Sequence, residues 1–209
     1  MIVMSMALRK AMIDSQLRPQ GVSCRRVLDA FLSVPREEYL PEKVRALAYR
    51  DRSVPLGDGR SMPAAAALAS LVQALHARPG MSALVIGPGA AYAAALLAHM
   101  GLKVVALDEK KLAGPAPEGV THAAGNPAEG HAAGGPYDRI LILGAVEQLT
   151  DAICNQLADG GRLATGRFDR GVTRLAAGGR VDGRVKLDDF ADAQMSLIEQ
   201  FARKPQFVF

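Results

Sequence analysis

Tryptophan is absent from this 209-residue chain, cysteine occurs twice, histidine four times, and aromatic residues make up only 5%. With so few rings to stack on bases, and no zinc or RNA-binding signature, no nucleic-acid partner is expected. Cys24 and Cys154 stand far apart, without a CxxC or a Cys/His cluster, so the sequence indicates neither a disulfide framework nor a metal site. Also missing is any run approaching the roughly 20 apolar residues of a membrane span. Gly87, Pro88, Gly89, His99 and Lys103 interrupt the most apolar region. The opening MIVMSMALRK places its first positive charge after its apolar residues, the reverse of a secretory signal. A cytoplasmic protein that makes no membrane contact is the expectation.

Charge of one sign is lacking too. The net charge is +4, yet basic and acidic residues alternate almost everywhere, which reads as a mixed solvated surface. Arg162, Arg167, Arg170, Arg174, Arg180, Arg184 and Lys186 form the one local excess, opposed by Asp169 and Asp182, and we assign them to a solvated strand pair. What the chain does have is 49% hydrophobic content, enough at this length for one sizeable core and a single domain spanning 1–209. Within it we distinguish an N-terminal helical region (7–60), an α/β core (61–166) and C-terminal strands (167–209).

From 7 to about 49 the pattern is helical. Val27, Leu28, Phe31 and Leu32 share one face of 25–33, and Val44, Leu47 and Ala48 one face of 42–49, with Pro35 and Pro41 as breaks. Residues 51–61 read as a loop, and 64–77 as a helix with Leu68, Leu71, Val72 and Leu75 in a stripe. The period then shortens. Strand-like runs at 82–86, 103–107, 120–124, 139–143 and 162–166 alternate with helices at 90–100 and 151–158, the pattern of a parallel sheet covered on both faces. Runs at 172–177, 180–187 and 206–209 predict an antiparallel edge.

In such sheets ligands bind at the carboxyl ends of the strands. The run 82–86 ends in Gly87-Pro88-Gly89 and opens a helix, so glycine permits close backbone approach while the helix presents amide groups. Asp108 closes the next strand and is the residue type that accepts both hydroxyls of a ribose. A Gly-Pro-Gly turn alone also serves simple turns, but with Asp108 it points to a nucleoside-containing cofactor. A dinucleotide fingerprint needs glycine where Tyr92 stands. S-adenosylmethionine is therefore preferred over NAD.

The segment 12–60 resembles the N-terminal region of protein-L-isoaspartate O-methyltransferases in Val27-Leu28, Val34-Pro35-Arg36-Glu37, Tyr39-Leu40-Pro41, Ala48-Tyr49 and Pro55-Leu56-Gly57, in order and spacing. The likeness continues through the Gly-rich turn, Asp108, Gly125-Asn126, Tyr137-Asp138, Gly144-Ala145-Val146-Glu147 and Gln156-Leu157-Ala158-Asp159-Gly160-Gly161, covering about 12–165. It implies a Rossmann-like class I methyltransferase fold: α/β, a mostly parallel central sheet with helices on both faces, an N-terminal helical layer and an antiparallel C-terminal edge. It also implies methyl transfer from S-adenosylmethionine to the α-carboxylate of L-isoaspartyl residues in damaged proteins, with protein or peptide substrates as partners. Carried over, Gly87, Pro88, Gly89, Ala90 and Ala91 would contact the methionine part and ribose edge of the cofactor, Asp108 the ribose, and Asn126 the adenine.

Three departures stand out. Val85 replaces an acidic residue two positions before the first glycine, the loss of a charged acceptor worth about 1.5–3 kcal/mol. Ala91 replaces the third glycine, where a methyl group crowds the cofactor if φ is positive. In the acceptor loop, where the family reads Gly-Gln-Thr-Ile-Ser-Gln-Pro, this chain has Gly59-Arg60-Ser61-Met62-Pro63-Ala64-Ala65. That puts Pro63 at the active-site serine and leaves Ser61 as the one hydroxyl. Ser61 is read first as the N-cap of the following helix and second as a catalytic residue. An inactive family member serving as a binding or regulatory module, and last an NAD-type oxidoreductase, are the alternatives.

Overall fold

The chain up to Leu47 builds a helical layer, seen in a computed structural model that describes residues 2–57, 59–110, 112 and 114–203. Helix α1 (Ile2–Met12) runs through a π-helical turn at Ile13–Leu17 to α2 (Arg25–Ser33), which buries Val27, Leu28, Ala30 and Phe31. Residues 42–49 do not form the expected α-helix; Glu42–Leu47 is a 3-10 helix following Pro41. A three-residue turn eclipses Val44 and Leu47 on one side, so the same apolar pair is satisfied by the tighter winding.

The predicted loop at 51–61 is instead a two-stranded antiparallel hairpin of β1 (Val54–Gly57) and β2 (Arg60–Met62), separate from the main sheet. Gly57 and Gly59 adopt φ of 90° and 80°, values that let the chain reverse within a few residues. Turn residues dominate the segment and hide the pairing of Val54 with Met62, both fully buried. Helix α3 (Ala65–Ala74) follows and buries Leu68, Leu71 and Val72.

Seven strands form the main sheet in the order β5-β4-β3-β6-β7-β8-β9. β3 (Ser82–Ile86), β4 (Lys103–Asp108), β5 (Val120–Ala124), β6 (Tyr137–Val146) and β7 (Leu157–Asp169) are parallel. Between β3 and β4 lies α4 (Ala90–His99), with residues 90–97 all buried, and between β6 and β7 lies α5 (Asp151–Gln156). Thr150 caps α5 by accepting the Ile153 N–H. Apolar clusters fill both faces: Val85, α3 and α4 with the N-terminal layer on one, Leu84, Ile86, Ile140, Ile142 and Ile153 on the other. Tyr92 of α4 docks the N-terminal layer, with its ring edge-on to Phe31 at 6.1 Å and 5.5 Å from Tyr39.

The edge is antiparallel as predicted: β8 (Val172–Val181) pairs with β7, and β9 (Arg184–Asp192) with β8. The local excess of arginine is largely consumed there. Arg167 pairs with Asp189, Arg174 with Asp192, and Arg180 donates to the Leu157 carbonyl at 2.7 Å, just past the end of α5. The strand expected at 206–209 lies outside the described residues. Among the described residues no helix is long and apolar enough to cross a membrane.

Candidate active site

Strand order reverses between β3 and β6, and the crevice at their carboxyl ends is where this class of sheet places ligands. β3 ends in Gly87-Pro88-Gly89, whose glycines have φ of 100° and 89° and turn the chain sharply into α4. Ala90 and Ala91 form the first turn of α4 and are buried. Ala91 is helical, so the positive φ that would make its methyl group obstructive belongs to Gly87 and Gly89 alone. Beside the turn opens a cavity of about 270 Å³, lined by Gly59, Arg60, Gly87, Pro88, Asp108 and residues of the C-terminal segment 196–200.

Asp108 is buried at the end of β4. Its Oδ1 accepts the Glu109 N–H at 2.9 Å and lies 2.5 Å from Arg60 Nη1. The Arg60 side chain is 22% exposed and that of Asp108 6%, so this ion pair is shielded from water. It joins the hairpin to the central sheet within the lining of the cavity.

The C-terminal segment supplies the opposite wall. After β9 the chain returns over the strand ends: Ser196 O accepts the Ala145 N–H at 2.8 Å, and Ile198 donates its N–H to Ala145 O at 3.0 Å. The Phe201 carbonyl accepts from Glu147 and Gln148, and Gln200 donates to Glu109. The Ile198 side chain reaches Gly87 and Gly144, filling the crevice between β3 and β6; a Cβ added to Gly87 would lie 3.2 Å from Ile198 Cδ1. Met62 covers the other glycine, where an added Cβ would lie 2.8 Å from Met62 Cγ.

Other sequence-predicted positions are placed differently. Ser61 is in β2 opposite Pro55 and does not cap α3, whose N-cap is Ala64 without a side-chain hydrogen bond. The register of the hairpin fixes Ser61 in a strand, three residues short of the capping position. Asn126 is turned into its own loop, accepting the Ala128 N–H at 3.0 Å and donating to Glu129 at 3.1 Å; Pro127, not Asn126, lines the cavity. Val85 is fully buried in the face packed against α4 and is not among the lining residues. Among the described residues no group of three His, Cys, Asp or Glu side chains could hold a metal ion.

Beneath Pro63 sits an arginine that the sequence names only as part of Val34-Pro35-Arg36-Glu37, without a role. Arg36 is completely buried, donates from Nη2 to the Pro63 carbonyl at 2.5 Å, and stacks its guanidinium 5.2 Å from the centre of the Tyr92 ring. Among the described residues its Nε and Nη1, and the Tyr92 hydroxyl, have no hydrogen-bond partner. Burial pulls the Arg36 pKa below its ordinary value, against the opposing effect of Tyr92. Arg36 thereby ties the backbone of Pro63 to the core.

A profile of the family described as Protein-L-isoaspartate(D-aspartate) O-methyltransferase matches residues 7–166. A protein-L-isoaspartate O-methyltransferase of Methanoculleus marisnigri is 30% identical over 187 residues, 85% of each chain. Protein-L-isoaspartate O-methyltransferase 1 of Rhodopseudomonas palustris is 36% identical over 166 residues, 75% of this chain and 68% of that one. Among solved structures, a protein-L-isoaspartate O-methyltransferase superposes with a TM-score of 0.77 at 20% identity; 91% of this chain is covered, and the match spans 65% of that longer chain. A Plasmodium falciparum structure described as a protein-L-isoaspartate O-methyltransferase in complex with S-adenosyl-L-homocysteine gives 0.73 at 18% identity, covering 94% and 98%.

Proposed function

The chain belongs to the protein-L-isoaspartate O-methyltransferase family, and we propose that it transfers a methyl group from S-adenosylmethionine to the α-carboxylate of L-isoaspartyl residues in proteins or peptides. The observation that carries this reading is the buried carboxylate of Asp108 beside the Gly87-Pro88-Gly89 turn, both facing one cavity.

The donor set of that cavity fits a cationic nucleoside. Asp108 is an acceptor suited to ribose hydroxyls. Asp108, Glu109 and Glu199 also bring three carboxylates to the lining against Arg60 and Lys110. Val85 removes no charge from this wall, because its side chain lies in the core. Space is tighter than chemistry. The volume of about 270 Å³ falls just under the roughly 300–1,000 Å³ of small-molecule sites, with Arg60 among the residues that line it.

When bound, the donor supplies an electrophilic methyl group. A carboxylate is already ionised and nucleophilic at neutral pH, so no general base is needed, and proximity and exclusion of water remain as the protein's contribution. Asp108 and the Gly87-Pro88-Gly89 turn would hold the donor, with the first turn of α4 directing its amides toward the same place. Ile198 and Met62 keep water from the crevice, and Arg36 fixes the backbone at Pro63 on the acceptor side.

A second reading, a binding or regulatory module without turnover, is favoured by Pro63 and Ala64, which offer the acceptor no side-chain donor, and by Ile198 in the crevice. Tyr92, fully buried where a dinucleotide fingerprint needs glycine, opposes an NAD-type oxidoreductase. Titration calorimetry with S-adenosylhomocysteine, followed by methyl transfer to an isoaspartyl peptide, separates the readings. Binding with ester formation supports the first; binding without ester formation leaves the second; no heat at millimolar ligand removes the donor reading.

A further inference from the structure

The Arg60–Asp108 pair bears directly on the proposed reaction, because it ties up the one buried carboxylate of the cavity lining. A ribose needs that carboxylate as acceptor, and Arg60 already holds it at 2.5 Å. Both interactions draw on the Asp108 carboxylate and on the space in front of it, which Arg60 lines, and Oδ1 also carries the Glu109 N–H. Arg60 lies outside the main sheet, since among the described residues β2 pairs with β1 in a separate hairpin.

Arg60 also stands in the loop assigned to the acceptor, at a position where the family has an uncharged glutamine. The neighbouring Pro63 and Ala64 have no side chain able to bind a carboxylate. A guanidinium is the side chain best matched to a carboxylate, offering two parallel N–H donors. Among residues 59–65 it is the only charged group.

We propose, on the strength of the methyl-transfer reading above, that Arg60 is a donor-gated binding residue for the acceptor carboxylate: Asp108 holds it before the donor binds, and the donor's ribose displaces it toward the acceptor. Binding is then ordered. Donor first costs the Arg60–Asp108 contact, and the acceptor's carboxylate recovers a charge-assisted contact with the displaced guanidinium. Because coupling between two ligands is reciprocal, a bound acceptor tightens the donor by the same factor that the donor tightens the acceptor.

The test uses the full chain, with S-adenosylhomocysteine and an isoaspartyl peptide as probes and calorimetry as the readout. Arg60→Gln removes the competitor and restores the family's residue type, so S-adenosylhomocysteine binds about tenfold more tightly than to the unsubstituted protein, the equivalent of one charge-assisted hydrogen bond. The peptide binds the unsubstituted protein at least fivefold more tightly when S-adenosylhomocysteine is present, a coupling at the low end of the usual range. Arg60→Gln loses that gain, while Arg60→Lys, which keeps charge without the planar fork, falls between the two. Circular dichroism and melting of each variant establish that the fold is kept. If the unsubstituted protein binds S-adenosylhomocysteine and Arg60→Gln binds no tighter, the gating is wrong and the donor reading stands. If neither binds, both fall. Tighter S-adenosylhomocysteine with unchanged peptide binding overturns the acceptor role.

Discussion

Ile198 lies so close to Gly144 that a methyl group on the glycine would come within 2.6 Å of Ile198 Cδ1. The glycine is thus a seat for the isoleucine, and the pair pins the C-terminal segment to β6 beside the backbone contacts at Ala145. Gly144→Ala is expected to unseat Ile198, at a cost of about 1–3 kcal/mol for overpacking, which lowers Tm by roughly 2–4 °C per kcal/mol in a chain of this size. Limited proteolysis should show faster cutting near 194–203. An unchanged Tm and cutting pattern would show that the segment is held by its backbone bonds alone.

Buried Arg36 leads to a less intuitive expectation. Its guanidinium is taken out of water with two nitrogens unpartnered, and replacing buried charge by an apolar side chain of similar size is often neutral or stabilising, by about 1–4 kcal/mol. Arg36→Met should therefore match or exceed the original protein in urea stability, whereas Arg36→Ala, which leaves a hole beside Tyr92, should lose about 2–5 kcal/mol. A Met variant weakened by more than about 1 kcal/mol would mean that the Pro63 carbonyl and the Tyr92 ring outweigh desolvation.

All four tyrosines, Tyr39, Tyr49, Tyr92 and Tyr137, have pKa values raised chiefly by burial, and those of Tyr39, Tyr49 and Tyr137 lie at about 12. The folded state then holds these protons more tightly than the unfolded chain, whose tyrosines titrate near 10. The associated stability is complete below pH 10 and is lost as pH climbs toward about 12. Tyrosinate absorbance should consequently rise in one step together with loss of structure by circular dichroism. A gradual rise centred near pH 10 in the folded protein would contradict this.

On the sheet edge, Gly178 of β8 faces the backbone of Lys186 in β9, where an added Cβ would meet the Lys186 carbonyl carbon at 2.7 Å. Backbone cannot rotate aside as a side chain can. Gly178→Ala should cost about 3 kcal/mol or more, at the upper end for overpacking, while Gly160→Ala, which meets nothing within 4 Å but has φ of 73°, should cost only about 1–2 kcal/mol. Comparable Tm changes for the two would show that β9 shifts to accommodate the methyl group.

How far the sequence could be read follows from where each signal resides. Gly87-Pro88-Gly89 and Asp108 were legible because both terminate buried strands, and a strand end is marked locally by its own residues. The hairpin at 54–62 was not, since Pro55, Gly57 and Gly59 carry turn chemistry while the pairing of Val54 with Met62 depends on burial against the rest of the chain. Asn126 has the right residue type for an adenine contact, but Glu129 and the Ala128 amide satisfy it within its own loop. Val85 sits in a strand buried on both faces, where no alternation reveals which side chains look toward the cleft. Arg60 carried a usable signal, a charge in place of the family's glutamine. Ile198 carried none, because its role exists only where the C-terminal segment crosses the strand ends.

That crossing also fixes when the cleft comes into being. Arg60, Gly87, Pro88 and Asp108 all precede Ser196 and Ile198 in the chain, so synthesis delivers the donor side before the segment that walls it off. A chain ending at Asp192 would keep the residues of every strand in the sheet and lack the wall that 196–200 gives the crevice. The pocket thus takes its final wall from the last described segment of the chain.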